Sequence, residues 1–250
     1  MIDCQRDQLA QGMTPARPRI LPPNSFDAYA NGYDAQLEAG LSLTGETKNY
    51  YAQGRARWLA GRLAPLGFHP RSVLDYGCGT GSATPFLLED LGVERVLGVD
   101  VSAESLRIAR NRFADVPASF ELVDDIAPRA SMDLAFCNGV FHHIPPAERA
   151  ASVQYVFRAV RPGGIFAFWE NNPWNPGTRY VMKRVGFDRD AIMLTPPESR
   201  SLLRAAGFNV LRTDFLFIFP APLRLLRWIE PLVAALPLGG QYLVLCRKAS

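Results

Sequence analysis

The sequence is poor in cysteine, in histidine and in clustered charge, and each shortage excludes a class of protein. The four cysteines are widely spaced, so they predict neither a metal-binding pair nor a disulfide framework. With only three histidines in the chain, we expect no metal site. The formal net charge is only +3, and no block of Lys and Arg interleaved with aromatic residues occurs. No nucleic-acid partner is therefore predicted.

Long apolar runs are also missing. No uninterrupted run reaches the roughly 18 residues that a membrane-spanning helix needs, so we predict no stable membrane insertion. Residues 1–24 lack the basic-then-apolar layout of a secretory signal, and their Pro and Gln content favours a flexible tail. Together with the scattered cysteines, these features predict a cytoplasmic setting.

Short apolar runs that alternate with helical patterns make up most of the chain. Five such runs lie between "RSVLDY" and "IFAFWEN", and alternation at these intervals favours βαβ units and a parallel sheet. "FNVLRTDFLFIF" and "QYLVLCRK" predict two further strands, of which the terminal one runs back. We expect one domain over residues 25–248, with a helical lid at 25–66 and substrate-side insertions at 171–195 and 220–240.

A glycine-rich turn follows the first strand, in "VLDYGCGTGSATPF". Gly77, Gly79 and Gly81 let the chain turn tightly and let a ligand approach the backbone, although such a corner can need glycine for structural reasons alone. Asp100 ends the next strand, where a carboxylate can accept both hydroxyls of an adenosine ribose. It could instead cap the next helix, but Ser102 already suits that position. The two features together indicate a cofactor that contains adenosine.

Three details favour S-adenosylmethionine over NAD as that cofactor. Asp75 would be a poor neighbour for a pyrophosphate but a good one for a positively charged amino-acid tail and sulfonium. In "VDDI", Asp124 could receive the adenine amino group while the Asp125 backbone pairs with a ring nitrogen. The reversed terminal strand is also unlike a dinucleotide domain. An NAD(P)-dependent oxidoreductase and a non-catalytic cofactor-binding module stay open as alternatives.

Five motifs, "VLDYGCGTG", "GVDVS", "LVDDI", "DLAFCNGVFHHI" and "RPGG", resemble those of class I S-adenosylmethionine-dependent methyltransferases that act on small molecules and quinones. The resemblance covers residues 26–164 and is specific, because all five occur in the family's order and spacing. It implies a doubly wound, Rossmann-like, seven-stranded and mostly parallel sheet with an antiparallel last strand, helices on both faces and an N-terminal helical lid.

The resemblance also implies a set of cofactor-binding residues. Asp75, Gly77, Cys78 and Gly79 would hold the methionine part, Asp100 and Val101 the ribose, Asp124, Asp125 and Ile126 the adenine, and Cys137 and Asn138 the sulfonium side. Tyr33 could close over the cofactor like the N-terminal lids of related enzymes, and the alternative is a helix that packs on the core. The product left behind would be S-adenosylhomocysteine. Tyr76, which is bulkier than its usual counterpart, is expected to tilt outward and leave binding intact.

Candidate catalytic residues are His142 and His143, which follow the fourth strand. Strands one and four flank the expected topological switch point, so the pair should lie opposite the glycine turn and could act as a base. The alternative is that they pack against or cap the next helix. Nothing in the sequence decides which of the two would accept a proton.

Candidate substrate residues follow the fifth strand, where polar and aromatic groups are concentrated: Asn171, Trp174, Arg179 and Tyr180. The alternative is a proline-rich loop whose amides satisfy its own backbone, with Arg179 paired to Glu170. For the apolar segment Leu223 to Leu238, a lid over the substrate pocket is favoured over a membrane-surface helix.

These features predict methyl transfer by in-line displacement to an O, N or C atom of a small, partly apolar or aromatic molecule. A small-molecule substrate is the expected partner. The acceptor atom is not fixed by the sequence, and a homodimer is compatible with it.

Overall fold

The structure, a computed structural model, describes residues 38–188 and 191–250, together with Asp27 and Gly32. The predicted tail, Tyr33 and most of the first part of the predicted lid lie outside the described residues. The strands are β1 (Ser72–Tyr76), β2 (Arg95–Asp100), β3 (Ala118–Leu122), β4 (Met132–Asn138), β5 (Val160–Asn171), β6 (Phe208–Leu216) and β7 (Gln241–Lys248).

Helices separate most of these strands. They are α1 (Lys48–Leu63), α2 (Thr84–Glu89), α3 (Ala103–Arg112), α4 (Arg149–Ala159), α5 (Pro176–Arg184), α6 (Pro196–Ala205) and α7 (Glu230–Val233). Short 3-10 segments occur at Ser42–Thr44, Ala64–Leu66, Gly186–Asp188 and Ala221–Ile229. Among the described residues, no helix combines the length and the apolar character needed to span a bilayer.

The strands form one sheet in the order β3-β2-β1-β4-β5-β7-β6. β1 pairs in parallel with both β2 and β4, whereas β7 is antiparallel to β5 and β6. The predicted sheet, mostly parallel with an antiparallel last strand, is confirmed. Because the strand order reverses beside β1, the loops after β1 and β4 border one crevice at the carboxyl edge, where ligands bind in such sheets.

The sheet is buried on both faces, which explains why its central strands read as continuous apolar runs. On one face, Val153 and Val156 of α4 join a core cluster with Phe166. On the other, Leu59 and Leu63 of α1 pack into a second cluster. The two clusters fix the sheet between its helices and hold the loops of the carboxyl edge in place.

The helix starts follow ordinary capping chemistry. Ser102 Oγ accepts a hydrogen bond from Ser105 N, as predicted, and begins α3. Within the segment predicted as an insertion at 171–195, Asn175 caps α5 with Pro176 at its first position. Residues 176–184 of this segment are therefore helical, while Asn172 and Asn175 before them lie in a loop.

Helix α1 is tied to the sheet by one buried acid. Asp214 Oδ2 accepts hydrogen bonds from Trp58 Nε1 at 2.9 Å and from Arg62 Nε at 2.8 Å. Its other oxygen pairs with Arg212. These contacts hold α1 against β6. The first turns of the helix then lie at the carboxyl edge of the sheet.

Tyr76 differs from its expected outward tilt. Its ring is buried and lies 5.7 Å from that of Tyr155 and 6.2 Å from that of Phe141, between centroids. Burial against two aromatic rings stabilises this position more than exposure to water would.

Candidate active site

One cavity of about 510 Å³ opens at the carboxyl edge of the sheet. Its wall comes from the glycine turn after β1, the loop after β4, helix α1, the segment after β5 and residues 217–220. The volume is within the range typical of small-molecule sites. The cavity therefore joins the two regions that the sequence assigned to cofactor and acceptor.

The three glycines of the turn all have positive φ, but they differ in what surrounds them. A Cβ at Gly77 would overlap Val140, and one at Gly81 would lie 2.8 Å from the Phe113 ring. At Gly79, which lines the cavity, a Cβ would meet nothing within 4 Å. Packing thus requires two of the glycines, whereas the bare backbone at Gly79 leaves room for a ligand.

Two buried oxygens at this end of the cavity lack hydrogen-bond partners among the described residues. They are Asp75 Oδ2 and Asn138 Oδ1, and both residues line the wall. Burial and the nearby Asp100 raise the pKa of Asp75 to about 7, although Arg55 opposes the shift. Unsatisfied buried acceptors are costly, so this pair is suited to a ligand that carries N–H donors or positive charge.

Asp100 lies directly against the glycine turn. Its Oδ2 accepts a hydrogen bond from Gly79 N at 2.7 Å, and its Oδ1 accepts one from Ser102 N at 2.9 Å. Burial raises the pKa of Asp100, and these backbone hydrogen bonds oppose the shift. Asp27 covers the adjoining start of α3, where it accepts hydrogen bonds from Ser102 Oγ and Glu104 N.

In the loop after β4, which also lines the cavity, His142 is held by a buried carboxylate. His142 Nδ1 lies 2.7 Å from Glu170 Oε2, and Glu170 Oε1 accepts from Phe141 N at 2.8 Å. Burial alone would favour the neutral forms, but the two groups and Asp188 attract one another. This attraction outweighs burial, so it raises the pKa of His142 to about 10 and lowers the pKa of Glu170.

Asp188 connects both histidines. Its Oδ1 lies 3.4 Å from His142 Nε2 and 3.2 Å from His143 Nε2. Burial disfavours its charge, but the hydrogen bonds from the two rings lower the pKa of Asp188 to about 2. Burial and the neighbouring His142 cation lower the pKa of His143.

A chain of polar side chains runs along a further part of the wall. Arg55 donates to Gln241 Oε1 at 2.9 Å, and Gln241 Nε2 donates to Asn171 Oδ1 at 3.0 Å. All three residues line the cavity. Asn171, predicted to contact substrate, is thus held in place by a side chain from α1 and one from β7.

Residues 73–164 match the family model described as a methyltransferase domain. The match contains the glycine turn, Asp75, Asp100 and the histidine pair. The chain contains a class I S-adenosylmethionine-dependent methyltransferase domain. The cofactor of this family is S-adenosylmethionine, and the unsatisfied Asp75 and Asn138 oxygens beside the open backbone of Gly79 fit its positively charged amino-acid end.

Curated relatives share part of this methyltransferase domain. A trans-aconitate 2-methyltransferase of Azoarcus sp. (strain BH72) is 40% identical over 96 residues, which are 38% of this chain and 37% of that protein. One of Rhodopseudomonas palustris (strain BisB18) is 33% identical over 118 residues, or 47% and 45% of the two chains. The matched part is thus less than half the length of these two relatives.

A solved structure shows the same fold over more of the chain. The S-adenosylmethionine-dependent methyltransferase of Mesorhizobium loti superposes with a TM-score of 0.56 at 24% identity. The superposition covers 77% of this chain and 98% of that one. At this identity the likeness shows the fold of the methyltransferase domain and says nothing about its acceptor.

The predicted cofactor residues of the methyltransferase domain fall into two groups. Those in the cavity wall are Asp75, Gly77, Cys78, Gly79 and Asn138. Asp100, Val101, Asp124, Asp125, Ile126 and Cys137 lie outside that wall. Of this second group, Cys137 is fully buried in β4, and Asp100 borders the wall through its hydrogen bond to Gly79.

The predicted catalytic and substrate residues are also divided. His142, His143, Asn171 and Tyr180 line the cavity, whereas Trp174 and Arg179 do not. Trp174 stacks on Phe215 with ring centroids 6.4 Å apart.

Glu170 is buried against His142, so its suggested pairing with Arg179 is wrong. Asn172 satisfies backbone groups, as the alternative interpretation held, by donating to Gly239 O.

The apolar segment after β6 does not close over the cavity. Pro220 and Gly240 line the wall, but no residue from 221 to 239 does. Leu225, Trp228 and Leu232 are 83%, 72% and 77% exposed. The expected lid is therefore not formed by these residues, because their side chains face away from the cavity into solvent.

Sequence reasoning missed several wall residues. They include Arg55, Asp188, Phe217 and Gln241. Asp188 carried a usable signal, since it is an acid directly after Phe187 within the predicted substrate-side insertion. Arg55 and Gln241 sit on elements that the sequence assigned to packing and to the last strand, so no local pattern distinguished them.

Proposed function

We propose that this chain transfers a methyl group from S-adenosylmethionine to an O, N or C atom of a small, partly apolar or aromatic molecule. The observation that carries the proposal is one shared cavity, whose wall contains both the glycine turn and the histidine pair. When bound, the cofactor supplies a methyl group on a positively charged sulfur. The protein's task is to bind, align and dry the two reactants.

At the cofactor end, we assign Asp75 and Asn138 to the amino-acid part and Asp100 to the ribose. The Asp75 carboxylate would gain a positively charged partner, which removes the cost of its unsatisfied oxygen. Asp100 already fixes the Gly79 backbone, so a ribose bound to it would lie against the turn. Asp124, Asp125 and Ile126 would flank the adenine outside the present cavity wall.

At the acceptor end, the geometry favours His143 over His142 as the group that faces the reacting atoms. Both ring nitrogens of His142 face carboxylates, and its side chain is only 2% exposed. The His143 side chain is 15% exposed and lines the cavity. His142 and Glu170 would then be positioning residues that orient the loop after β4.

The remaining wall supports a partly apolar acceptor. Tyr51, Val185, Phe187 and Phe217 provide aromatic and aliphatic surface, and Asn171 and Arg55 provide polar groups. Orientation of two reactants in such a site can supply about 7–11 kcal/mol of the barrier. The relatives named trans-aconitate 2-methyltransferases support the small size of the acceptor but not its apolar character.

Calorimetric titration with S-adenosylhomocysteine tests the cofactor half of the proposal, and we expect binding in the micromolar range. A metabolite extract supplied with methyl-labelled cofactor then identifies the acceptor by mass. We expect His143→Gln to lower turnover while leaving the affinity for S-adenosylhomocysteine unchanged, whereas the exposed His69→Gln should change neither. Absence of binding heat, or binding of NADH in its place, would refute the methyltransferase assignment.

A further inference from the structure

Three side chains with metal-binding atoms converge at the acceptor end of the cavity. His142 Nε2 and His143 Nε2 lie 3.4 Å and 3.2 Å from the same oxygen, Asp188 Oδ1. All three atoms lie within 4.8 Å of one another. In the described part of the chain, no other group of three His, Cys, Asp or Glu side chains is arranged in this way.

The spacing of these atoms matches that of ligands around one ion. A bond of about 2.0–2.1 Å from a transition metal to nitrogen or oxygen puts neighbouring ligand atoms about 3.0–3.4 Å apart. The two separations from Asp188 Oδ1 fall in that range. As hydrogen bonds, the His142 contact exceeds the usual N–H···O limit of about 3.2 Å and the His143 contact lies at it.

A carboxylate behind His142 gives the ring the orientation of a metal ligand. Glu170 Oε2 lies 2.7 Å from His142 Nδ1, and its other oxygen accepts from Phe141 N. Metal-binding histidines commonly donate their second N–H to a buried carboxylate in this manner. A metal ion that displaces the proton from Nε2 leaves Nδ1–H donating to Glu170, and Nε2 and Asp188 Oδ1 then both point at one spot as ligand atoms.

The three residues also line the cavity, so an ion bound to them would be accessible to substrate. Catalytic metal sites commonly use three protein ligands and keep further positions open. Two imidazoles and one carboxylate suit Fe²⁺, Co²⁺ or Zn²⁺ better than Mg²⁺ or Ca²⁺. The small number of histidines in the chain therefore does not exclude a metal site, because two of the three are adjacent and meet an acid.

We propose that His142, His143 and Asp188 bind one divalent transition-metal ion that holds the acceptor through anionic oxygens. This inference rests on the proposed function and narrows it to acceptors with a chelating oxygen pair, such as a hydroxy- or keto-carboxylate in its enol form. The ion lowers the pKa of the bound hydroxyl, whose proton leaves to solvent. The oxygen's electron pair then forms the new O–CH₃ bond, and the pair of the broken C–S bond stays on sulfur, which becomes a neutral thioether.

The test is a Co²⁺ titration of the untagged protein, followed by visible absorption. We expect wild type to bind one equivalent, and His143→Gln and Asp188→Asn to bind at least tenfold to a hundredfold more weakly. His69→Gln is the matched control, since it removes the one histidine outside the cluster, and it should bind like wild type. Thermal unfolding and S-adenosylhomocysteine titration of each variant check that the fold and the cofactor end are intact.

The outcomes separate the two proposals. Equal Co²⁺ binding by wild type, His143→Gln and Asp188→Asn, or no binding by any of them, overturns the metal site. If the metal site is overturned but wild type still binds S-adenosylhomocysteine and methylates an acceptor after exhaustive chelation, the proposed function stands without the metal. If it binds neither Co²⁺ nor S-adenosylhomocysteine, both proposals fail.

Discussion

The backbone N–H of Gly79 donates to Asp100 Oδ2 at 2.7 Å, so the turn after β1 and the acid that ends β2 form one hydrogen-bonded unit. The second oxygen of Asp100 accepts from Ser102 N, which ties the same unit to the start of α3. A ligand that meets the bare backbone at Gly79 therefore lies next to a carboxylate. This adjacency is what a nucleoside with an attached amino acid requires of the site.

Asp100→Asn is expected to weaken S-adenosylhomocysteine binding by about tenfold to a hundredfold. The substitution keeps the shape of the side chain but removes the charge, and charge-assisted hydrogen bonds are worth about 1.5–3 kcal/mol. Calorimetry measures the change, and the exposed Asp115→Asn serves as the control. Unchanged affinity would mean that the ribose is held by other residues.

Alanine substitutions at two glycines should separate packing from ligand contact. Gly79 and Gly81 both have positive φ, so each Ala variant carries backbone strain of about 1–2 kcal/mol. Gly81→Ala adds a clash with Phe113 and should lose more stability in urea denaturation. Gly79→Ala places its methyl in open space, so it should lose more S-adenosylhomocysteine affinity. The reverse ranking in both measurements would contradict this division of roles.

The sequence predicted the fold because its signals are local. Strands buried on both faces, such as Val160–Asn171, produce apolar runs, and the turn at Gly77 produces a glycine pattern. Asp100 follows from the same logic, since it ends a strand next to the turn. The reversed direction of the last strand was expected, but its place between β5 and β6 was not predicted, because no local pattern records which strands pair.

The acceptor end was predicted only in part, since its contacts join distant positions. His142 meets Glu170 across 28 positions and Asp188 across 46, and no periodicity records such pairs. Arg55 reaches the cavity from a helix whose pattern predicts packing alone. The apolar residues Leu225 and Trp228 suggested a lid, but their spacing does not encode which side of the segment faces the cavity.

Asp214→Asn is expected to destabilise the protein by about 1–3 kcal/mol in urea denaturation. Its buried carboxylate accepts from Trp58 and Arg62, and loss of the charge leaves these donors with a weaker partner. Glu94→Gln is a suitable control, because the Arg71–Glu94 pair is exposed and should contribute little. Equal effects of the two substitutions would show that Asp214 does not anchor α1.

Affinity for S-adenosylhomocysteine should rise with pH because of Asp75. Its pKa of about 7 means that the carboxyl is half protonated at neutral pH, whereas a bound ammonium group favours the ionised form. Binding must therefore release a proton below pH 7, and the association constant should increase by up to about tenfold per pH unit from pH 5.5 to 7 and level off near pH 8.

Asp75→Asn should remove this dependence of the association constant on pH. Methylthioadenosine, which lacks the amino-acid part, should bind wild type equally at all these pH values. A pH dependence shared by both ligands would place the titrating group elsewhere than beside the ammonium.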